Sequence, residues 1–163
     1  MVDHRLAPEE LVAELLRLLD VTELGEDRFE GTRKRGGVGR VFGGQVIGQA
    51  LAAAERTVDP GRAAHSLHAY FLRGGSEDHP IELQVRRDFD GGSFSNRRVI
   101  ASQQGRPILT LTASFQRSQP GLHHQAPAMP DVPPPEELEL DDALRLRLAA
   151  HLTGRARDLA LLQ

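Results

Sequence analysis

The sequence predicts an α+β fold in which a curved antiparallel sheet wraps around one long central helix. Two observations lead to this prediction. The stretch RVFGGQVIGQALAAAERTV, residues 40–58, has the period of a helix and is apolar around most of its circumference. After it, several segments alternate apolar and polar residues with the period of a strand. Because a helix that is apolar nearly all round must be enclosed, we expect these strands to curl around it.

The first element is a short amphipathic helix. Pro8, followed by two glutamates, is typical of a helix start, and leucines recur on one side as far as Leu19. We therefore expect residues 1–24 to form an N-terminal capping helix. A weakly alternating strand at 27–34 opens the sheet domain, which we assign to residues 25–118.

The central helix is followed by the turn DPG and then by four segments with strand periodicity, AHSLHAYFLR, IELQVRRDF, FSNRRVIASQQ and PILTLTASFQ. The turns DGG and QG join the last three into an antiparallel meander. Strict alternation puts His65 on one strand face with Leu67, Ala69 and Phe71. It also turns one of the adjacent pair Arg97 and Arg98 inward or towards an interface, and we expect an ion pair inside the fold in preference to a ligand contact.

The remainder of the chain differs in composition. Residues 119–137 are rich in proline and predict an extended linker. Residues 138–163 are leucine-rich and helical in composition, and they predict a C-terminal helical segment.

Composition and charge exclude several function classes. The net charge of -3 and the isoelectric point near 6.2 give no global basic field for nucleic acid or for an anionic membrane surface. The chain has no cysteine, and so no disulfide framework or thiolate nucleophile. No apolar run approaches the roughly 20 residues that span a bilayer. We therefore expect a cytoplasmic protein without a membrane span.

The start of the central helix is the best candidate for a site. A helix N-terminus presents unpaired backbone N–H groups and positive partial charge, and glycine at Gly43 and Gly44 lets a ligand approach closely. The same glycines could simply allow the helix to tuck under the sheet. Gln45 and Gln49, one turn apart on a nearly buried helix, either bind substrate or satisfy buried strand ends.

A long helix enclosed by a curved antiparallel sheet is the hot-dog fold. The strings VFGGQVIGQAL, HSLHAYFLRGG, DGGSFSNRRV and LTASFQ, in this order and spacing, resemble the N-terminal half of the acyl-CoA thioesterase II family. The resemblance runs from about Arg40 to Gln116. It implies a double hot-dog hydrolase of fatty acyl-CoA thioesters in lipid metabolism, with no metal and no cofactor, since coenzyme A is part of the substrate.

The resemblance also raises a difficulty about catalysis. The hydrolytic aspartate, hydroxyl residue and glutamine of the family belong mainly to its second half, for which no segment matches in this sequence. The residue that carries over as catalytic is His65, and the alternative for it is a hydrogen-bonded histidine at the core margin. Arg40, in the basic loop RKRGGVGR, would meet the phosphates of coenzyme A, unless that loop is only a solvated one.

The implied partners are the acyl-CoA substrate and a second hot-dog unit, either as a homodimer or as a companion domain. Tyr70, Leu72 and Ile108 are predicted on outer strand faces, where they would form that contact. Two alternatives to the thioesterase remain open. One is a non-catalytic hot-dog module for acyl-CoA binding or dimerisation, and the other is a hot-dog enoyl-CoA hydratase or dehydratase.

Overall fold

The computed structural model describes residues 7–34 and 36–155. The chain divides into two units, Met1–Pro120 and Gly121–Gln163, which are described separately. The helices of the first unit are α1 (Pro8–Leu19) and α2 (Gly43–Glu55). Its strands are β1 (Val21–Gly25), β2 (Arg28–Gly31), β3 (Arg62–Phe71), β4 (Ile81–Asp90), β5 (Phe94–Gln103) and β6 (Arg106–Arg117).

The six strands form one antiparallel sheet in the order β1-β2-β4-β5-β6-β3, so that β1 and β3 are its edges. Helix α2 contacts all six strands. A helix of 13 residues can reach both edges of such a sheet only because the sheet curves around it. The predicted α+β hot-dog architecture is therefore confirmed.

The core lies between α2 and the sheet. The helix contributes small side chains, Ala50, Ala53 and Ala54, which are completely buried. Opposite them lie larger side chains from the central strands, among them Leu83, Val99, Leu111 and Phe115. Because the helix side chains are small, the strands can approach α2 closely from several directions.

The structure differs from the prediction in the first strands. Val21–Gly25 forms strand β1, although these residues fall mostly in the range that we assigned to the helical cap. Asp27, with a φ of 55°, makes the tight turn into β2. The sheet thus gains an edge strand of five residues, too short for its alternation to stand out in the sequence.

The prediction for the face of His65 was wrong, and the reason is a β-bulge in β3. Ala64 pairs with Phe115 and Ser66 pairs with Ser114, so that His65 is an extra residue in the ladder. Beyond the bulge the alternation shifts by one residue. Leu67 and Phe71 face the helix side as expected, whereas His65 points to the outer face of the sheet, where it contacts Ser114.

The second unit contains a short 3-10 helix, Pro135–Glu137, and helix α3, Asp141–Ala149. Arg147 Nη2 bonds Glu139 Oε2 at 2.7 Å across the start of α3. Residues 1–6 of the predicted cap and 156–163 of the predicted C-terminal segment lie outside the described residues. No helix in the described part of the chain combines the length and apolar character that crossing a membrane requires.

Candidate active site

A cleft of about 440 Å³ opens at the N-terminal end of α2. Three parts of the chain form it: the start of the helix, the segment that follows β3, and the first half of β6. The residues that line it are Arg40, Val41, Gly43, Val46, Phe71, Leu72, Arg73, Gly74, Gly75, Ile108 and Leu109. Most of these side chains are apolar, so the walls suit an apolar or amphiphilic ligand.

Backbone pairing between two loops shapes one wall of the cleft. The Val41 N–H donates to Gly75 O at 3.1 Å, and the Glu77 N–H donates to Gly39 O at 2.9 Å. Glycine is required at Gly75 because any Cβ there would lie 2.6 Å from Cγ1 of Val41 and 3.1 Å from Cδ1 of Ile108. This close approach brings the start of α2 against the segment after β3.

The helix start supplies hydrogen-bond donors to this cleft. Gly43 is the first residue of α2, and the N–H groups of Gln45 and Val46 both bond Phe42 O. Among the described residues, no acceptor bonds the N–H of Gly43 or Gly44. Phe71 packs directly over Gly43, where a Cβ would lie 2.8 Å from its Cζ. Gly43 lines the cleft and Gly44 does not, so the N–H of Gly43 is the donor that can bind a carbonyl oxygen or an anion there, and the part of Gly44 in substrate binding stays a prediction.

Two arginines are the ionisable residues among those lining the cleft. Arg73 Nη1 donates to Pro107 O at 2.8 Å, and Arg40 packs on Gly74, the residue after Arg73. Within the described residues, neither guanidinium has a carboxylate partner. The cleft is therefore locally positive although the chain carries a net charge of -3.

Gln45 and Gln49 point away from the cleft, towards the loop before α2. The Gln49 amide nitrogen donates to Leu18 O and Thr32 O, each at 2.7 Å, and Gln45 donates to Thr32 O at 3.4 Å. Both glutamines are buried and neither lines the cleft. In this structure they satisfy backbone carbonyls, and their role in substrate binding stays a prediction.

His65 does not line the cleft either. Its Nε2 lies 2.8 Å from Ser114 Oγ on the outer sheet face, and its ring meets Phe94 edge-on at 5.8 Å. The described residues place no carboxylate behind this pair to orient the imidazole as a general base requires. The catalytic role of His65 stays a prediction.

Two residues at the site escaped the sequence analysis. Gln103, nearly buried at the end of β5, accepts from the Ser76 N–H and donates to Ser76 O and His79 O, and so fixes the loop after the cleft. Arg73 lines the cleft itself. Its position two residues after the end of β3 and before two glycines was a readable signal, because side chains near such strand ends often reach a site.

The cleft residues provide binding groups without a base. No histidine, aspartate or glutamate is among the described residues that line it. In the described part of the chain, no three histidine or acidic side chains are grouped so as to hold a metal ion. A larger groove of about 650 Å³ runs along α1, and its lining includes the charged side chains Glu10, Arg17 and Lys34. No helix start in the part that the structure describes opens into this groove, so it lacks the backbone donors that the cleft at α2 offers.

Comparison with known proteins assigns this arrangement to a family. Residues 32–116 match the family model described as the acyl-CoA thioesterase N-terminal domain. The chain belongs to this family. The matched range begins just before the loop that precedes α2 and ends in β6, so it contains every residue that lines the cleft.

Individual relatives agree with the family. The chain is 48% identical to acyl-coenzyme A thioesterase 8 of Homo sapiens over 122 residues, which are 74% of this chain and 38% of that protein. It is 36% identical to acyl-CoA thioesterase 2 of Haemophilus influenzae over 143 residues, 88% of this chain and 50% of that protein. The acyl-CoA thioesterase II TesB2 structure from Mycobacterium marinum superposes with a TM-score of 0.65 at 45% identity, covering 74% of this chain and 44% of that one. The chain thus spans half or less of the length of these relatives.

Proposed function

We propose that this chain is the first half of a double hot-dog acyl-CoA thioesterase, which hydrolyses a fatty acyl-CoA to a free fatty acid and coenzyme A. One observation carries the proposal. In a chain of the acyl-CoA thioesterase N-terminal-domain family, a single cleft combines apolar walls, the free N–H group of Gly43 at a helix start and two arginines without carboxylate partners among the described residues. These are the groups that an acyl chain, a thioester carbonyl and a phosphate require.

In the proposed reaction, water attacks the thioester carbonyl. Charge then develops on the carbonyl oxygen, and the N–H groups of Gly43 and Gly44 stabilise it in the manner of an oxyanion hole. The tetrahedral intermediate collapses with loss of the coenzyme A thiolate, so the reaction needs no covalent serine or cysteine intermediate. Proton transfer from the water needs a base, and the residues that line this cleft do not include one. A second hot-dog unit would supply it.

The same proposal includes pairing of this unit through strand β3. As an edge of the sheet, β3 carries an unpaired row of backbone N–H and C=O groups over ten residues. Its side chains Leu67, Tyr70 and Phe71 are exposed. Ile108, which the sequence placed on this surface, is buried in the core, and Leu72 lines the cleft. A second copy or a companion domain would cover β3. The cytoplasmic location and the part in lipid metabolism stay predictions.

Release of the coenzyme A thiol tests the proposal. Acyl-CoA is supplied to the purified chain alone and to this chain fused to the second half of the Haemophilus influenzae relative. We expect slow release from the chain alone and strong release from the fusion. Robust turnover by the chain alone would contradict the proposal that a second hot-dog unit supplies the base. Binding without hydrolysis in both samples would favour a non-catalytic module, and consumption of enoyl-CoA without thiol release would favour a hydratase.

A further inference from the structure

We infer that Gln103 is a positioning residue for the reaction, because it holds the segment that places the Gly43 N–H at the cleft. This inference rests on the proposed function, since it concerns the rate of the step in which that N–H stabilises the carbonyl oxygen. Gln103 itself does not line the cleft. It is the last residue of β5, and only 7% of its surface is exposed.

The Gln103 side chain binds the segment after β3 as a neighbouring strand would. Its Oε1 accepts from the Ser76 N–H at 2.8 Å, and its Nε2 donates to Ser76 O at 2.7 Å and to His79 O at 2.8 Å. The orientation of the amide is fixed, because Oε1 meets a donor and Nε2 meets two acceptors. Among the described residues, these three are the hydrogen bonds that join the strands of the sheet to residues 74–79.

Ser76 in turn holds the residues that lead into α2. Arg40 and Ser76 form an antiparallel bridge, and beside it the Val41 N–H donates to Gly75 O at 3.1 Å. Helix α2 begins two residues after Val41, at Gly43. A displacement of Ser76 would therefore move the first N–H of the helix.

Packing at Gly75 adds a second connection between Gln103 and the helix start. The position that a Cβ of Gly75 would take lies 3.2 Å from Gln103 Oε1, 2.6 Å from Val41 Cγ1 and 3.1 Å from Ile108 Cδ1. Three side chains thus close around one glycine of the cleft lining. A change in the position of the Gln103 amide acts on Val41 through this single residue.

The position of the Gly43 N–H matters for the rate of the proposed reaction. An oxyanion donor acts when it lies about 2.7 to 3.1 Å from the oxygen on which charge develops. A misplacement of about 1 Å can lower a rate about 100-fold, even when it originates at a residue far from the reacting atoms. Gln103 therefore affects kcat through the helix start, whereas substrate binding depends on the whole cleft and changes little.

Kinetics of the fusion with the second half of the Haemophilus influenzae relative test the inference. Gln103→Met keeps a side chain of similar size and removes all three hydrogen bonds. We expect its kcat to fall about tenfold or more, with a KM within about twofold of the wild-type value.

Thr57→Val is the matched control. Thr57 lies beyond the C-terminal end of α2, away from the cleft, and its side chain is nearly buried. Its Oγ1 donates to Ala54 O and accepts from Arg97 Nε, each at 2.8 Å. Thr57→Val therefore loses buried hydrogen bonds as Gln103→Met does, so it should lower stability while kcat stays within about twofold of the wild type.

Two further measurements detect the positioning itself. In the full chain alone, amide hydrogen exchange at Val41 should accelerate about tenfold or more in Gln103→Met, because its bond to Gly75 O opens more often, and should stay unchanged in Thr57→Val. Gln103→Glu keeps the acceptor for the Ser76 N–H, and its protonated form can also donate to a carbonyl oxygen. Its kcat, as a fraction of the wild-type kcat at the same pH, should rise as the pH falls from about 8 to about 5.5.

The outcomes separate this inference from the proposed function. If the fusion releases thiol and Gln103→Met has an unchanged kcat, or if Thr57→Val loses as much kcat, the positioning role is wrong while the proposed function stands. Unchanged exchange at Val41 in Gln103→Met would also overturn it. A constant ratio for Gln103→Glu across this pH range would overturn it even if Gln103→Met did not fold. If the wild-type fusion releases no thiol, the proposed function fails and this inference fails with it.

Discussion

Arg97 Nη2 lies 2.7 Å from Oδ1 and 3.0 Å from Oδ2 of Asp90, so that one buried guanidinium holds one half-exposed carboxylate. Arg97 also donates from Nε to Thr57 Oγ1 at 2.8 Å and from Nη2 to Thr57 O at 2.9 Å. The pair therefore joins the β4–β5 hairpin to the turn after α2. The hydrogen bond from Arg97, followed by that from Ser95, lowers the pKa of Asp90 against the opposing effect of burial.

This pair predicts a pH-dependent contribution to stability. Because the pKa of Asp90 is lower in the folded state, its contribution is present above the pKa of an unfolded aspartate, about 4, and is lost as the pH falls through the folded value. At pH 7 we expect Asp90→Ala to lower the free energy of unfolding by about 1 to 2 kcal/mol, a modest value because the carboxylate is half exposed. Urea denaturation should show this difference shrinking below about pH 4.

Asp88 provides the control for that measurement. It pairs with Arg98 at 3.1 Å, and both side chains are exposed to solvent by a third or more. Asp88→Ala should change the free energy of unfolding by no more than about 0.5 kcal/mol. Equal losses in Asp88→Ala and Asp90→Ala would show that burial of Arg97 does not strengthen the pair.

Gly31 is a second position with a measurable effect. A Cβ there would collide with Gln49 Oε1 and lie 2.7 Å from Gln49 Cδ. The fully buried Gln49 amide cannot move aside because its two bonds to Leu18 O and Thr32 O hold it. Urea denaturation should show that Gly31→Ala loses about 1 to 3 kcal/mol, which is typical of overpacking.

Gly48→Ala is the matched control for Gly31→Ala. Its Cβ would lie 2.7 Å from Leu19 Cδ2, the end of a half-buried side chain that can turn away. Alanine also favours the helix over glycine by about 1 kcal/mol. We therefore expect a stability within about 1 kcal/mol of the wild type. A loss as large as that of Gly31→Ala would mean that Leu19 is as fixed as Gln49.

The oxyanion role of the helix start can be tested by deleting one N–H group. Gly43→Pro removes that donor at the first helical position, where proline fits, and the extended Phe42 before it is compatible with proline. Gly43→Ala keeps the N–H and makes a similar contact with the exposed Phe71 ring. In the fused enzyme, kcat should fall about 100-fold in Gly43→Pro relative to Gly43→Ala. Equal kcat values would exclude this N–H as the oxyanion donor.

His65→Ala separates a base from a surface histidine. Since His65 lies on the outer sheet face, we expect turnover of the fused enzyme to change by no more than about threefold, far from the loss of about 100-fold that removal of a general base produces. Ser114→Ala removes the partner of the same hydrogen bond and should have an equally small effect. A 100-fold loss of turnover in His65→Ala alone would show that His65 acts in catalysis.

Strand β3 predicts the association state of the chain. Sedimentation at tens of micromolar should show a dimer, and Tyr70→Asp, on the exposed edge, should give a monomer of unchanged stability. The control is Leu24→Asp, which changes an exposed apolar residue on β1, the other edge. If Leu24→Asp dissociated the dimer and Tyr70→Asp did not, the dimer contact would lie on β1 and not on β3.

The fold could be predicted because its signals are local and repeat over long segments. Helix α2 is apolar nearly all round, and β4 to β6, each of ten residues or more, alternate buried and more exposed residues over much of their length. The same alternation predicted one inward arginine, and Arg97 is that residue. Strand β1 has five residues, and its edge position depends on pairing with β2. Its existence follows from tertiary contacts that no local pattern contains.

The site was less predictable because it combines segments that are distant in sequence. The glycines at 43 and 44 could be found from the properties of a helix start. Arg73 joins them only because the loop after β3 folds back onto Val41, and its bond to Pro107 depends on the neighbouring strand β6. The hydrogen-bond partners of Gln45 and Gln49 on α2 could not be predicted for a related reason. Their partners, Leu18 and Thr32, precede the helix by many residues.

The bulge in β3 makes one residue dispensable to the register of the strand. Ala64 opposite Phe115 and Leu67 opposite Ala113 are separated by two residues on β3 and by one on β6. Deleting one residue of the bulge, such as His65, would leave both pairings in place, whereas a deletion elsewhere in the strand would reverse the two faces of the residues beyond it. Homologous strands can therefore differ in length by one residue here without altering which side chains reach the helix, and sequence alignments should carry a gap at this point.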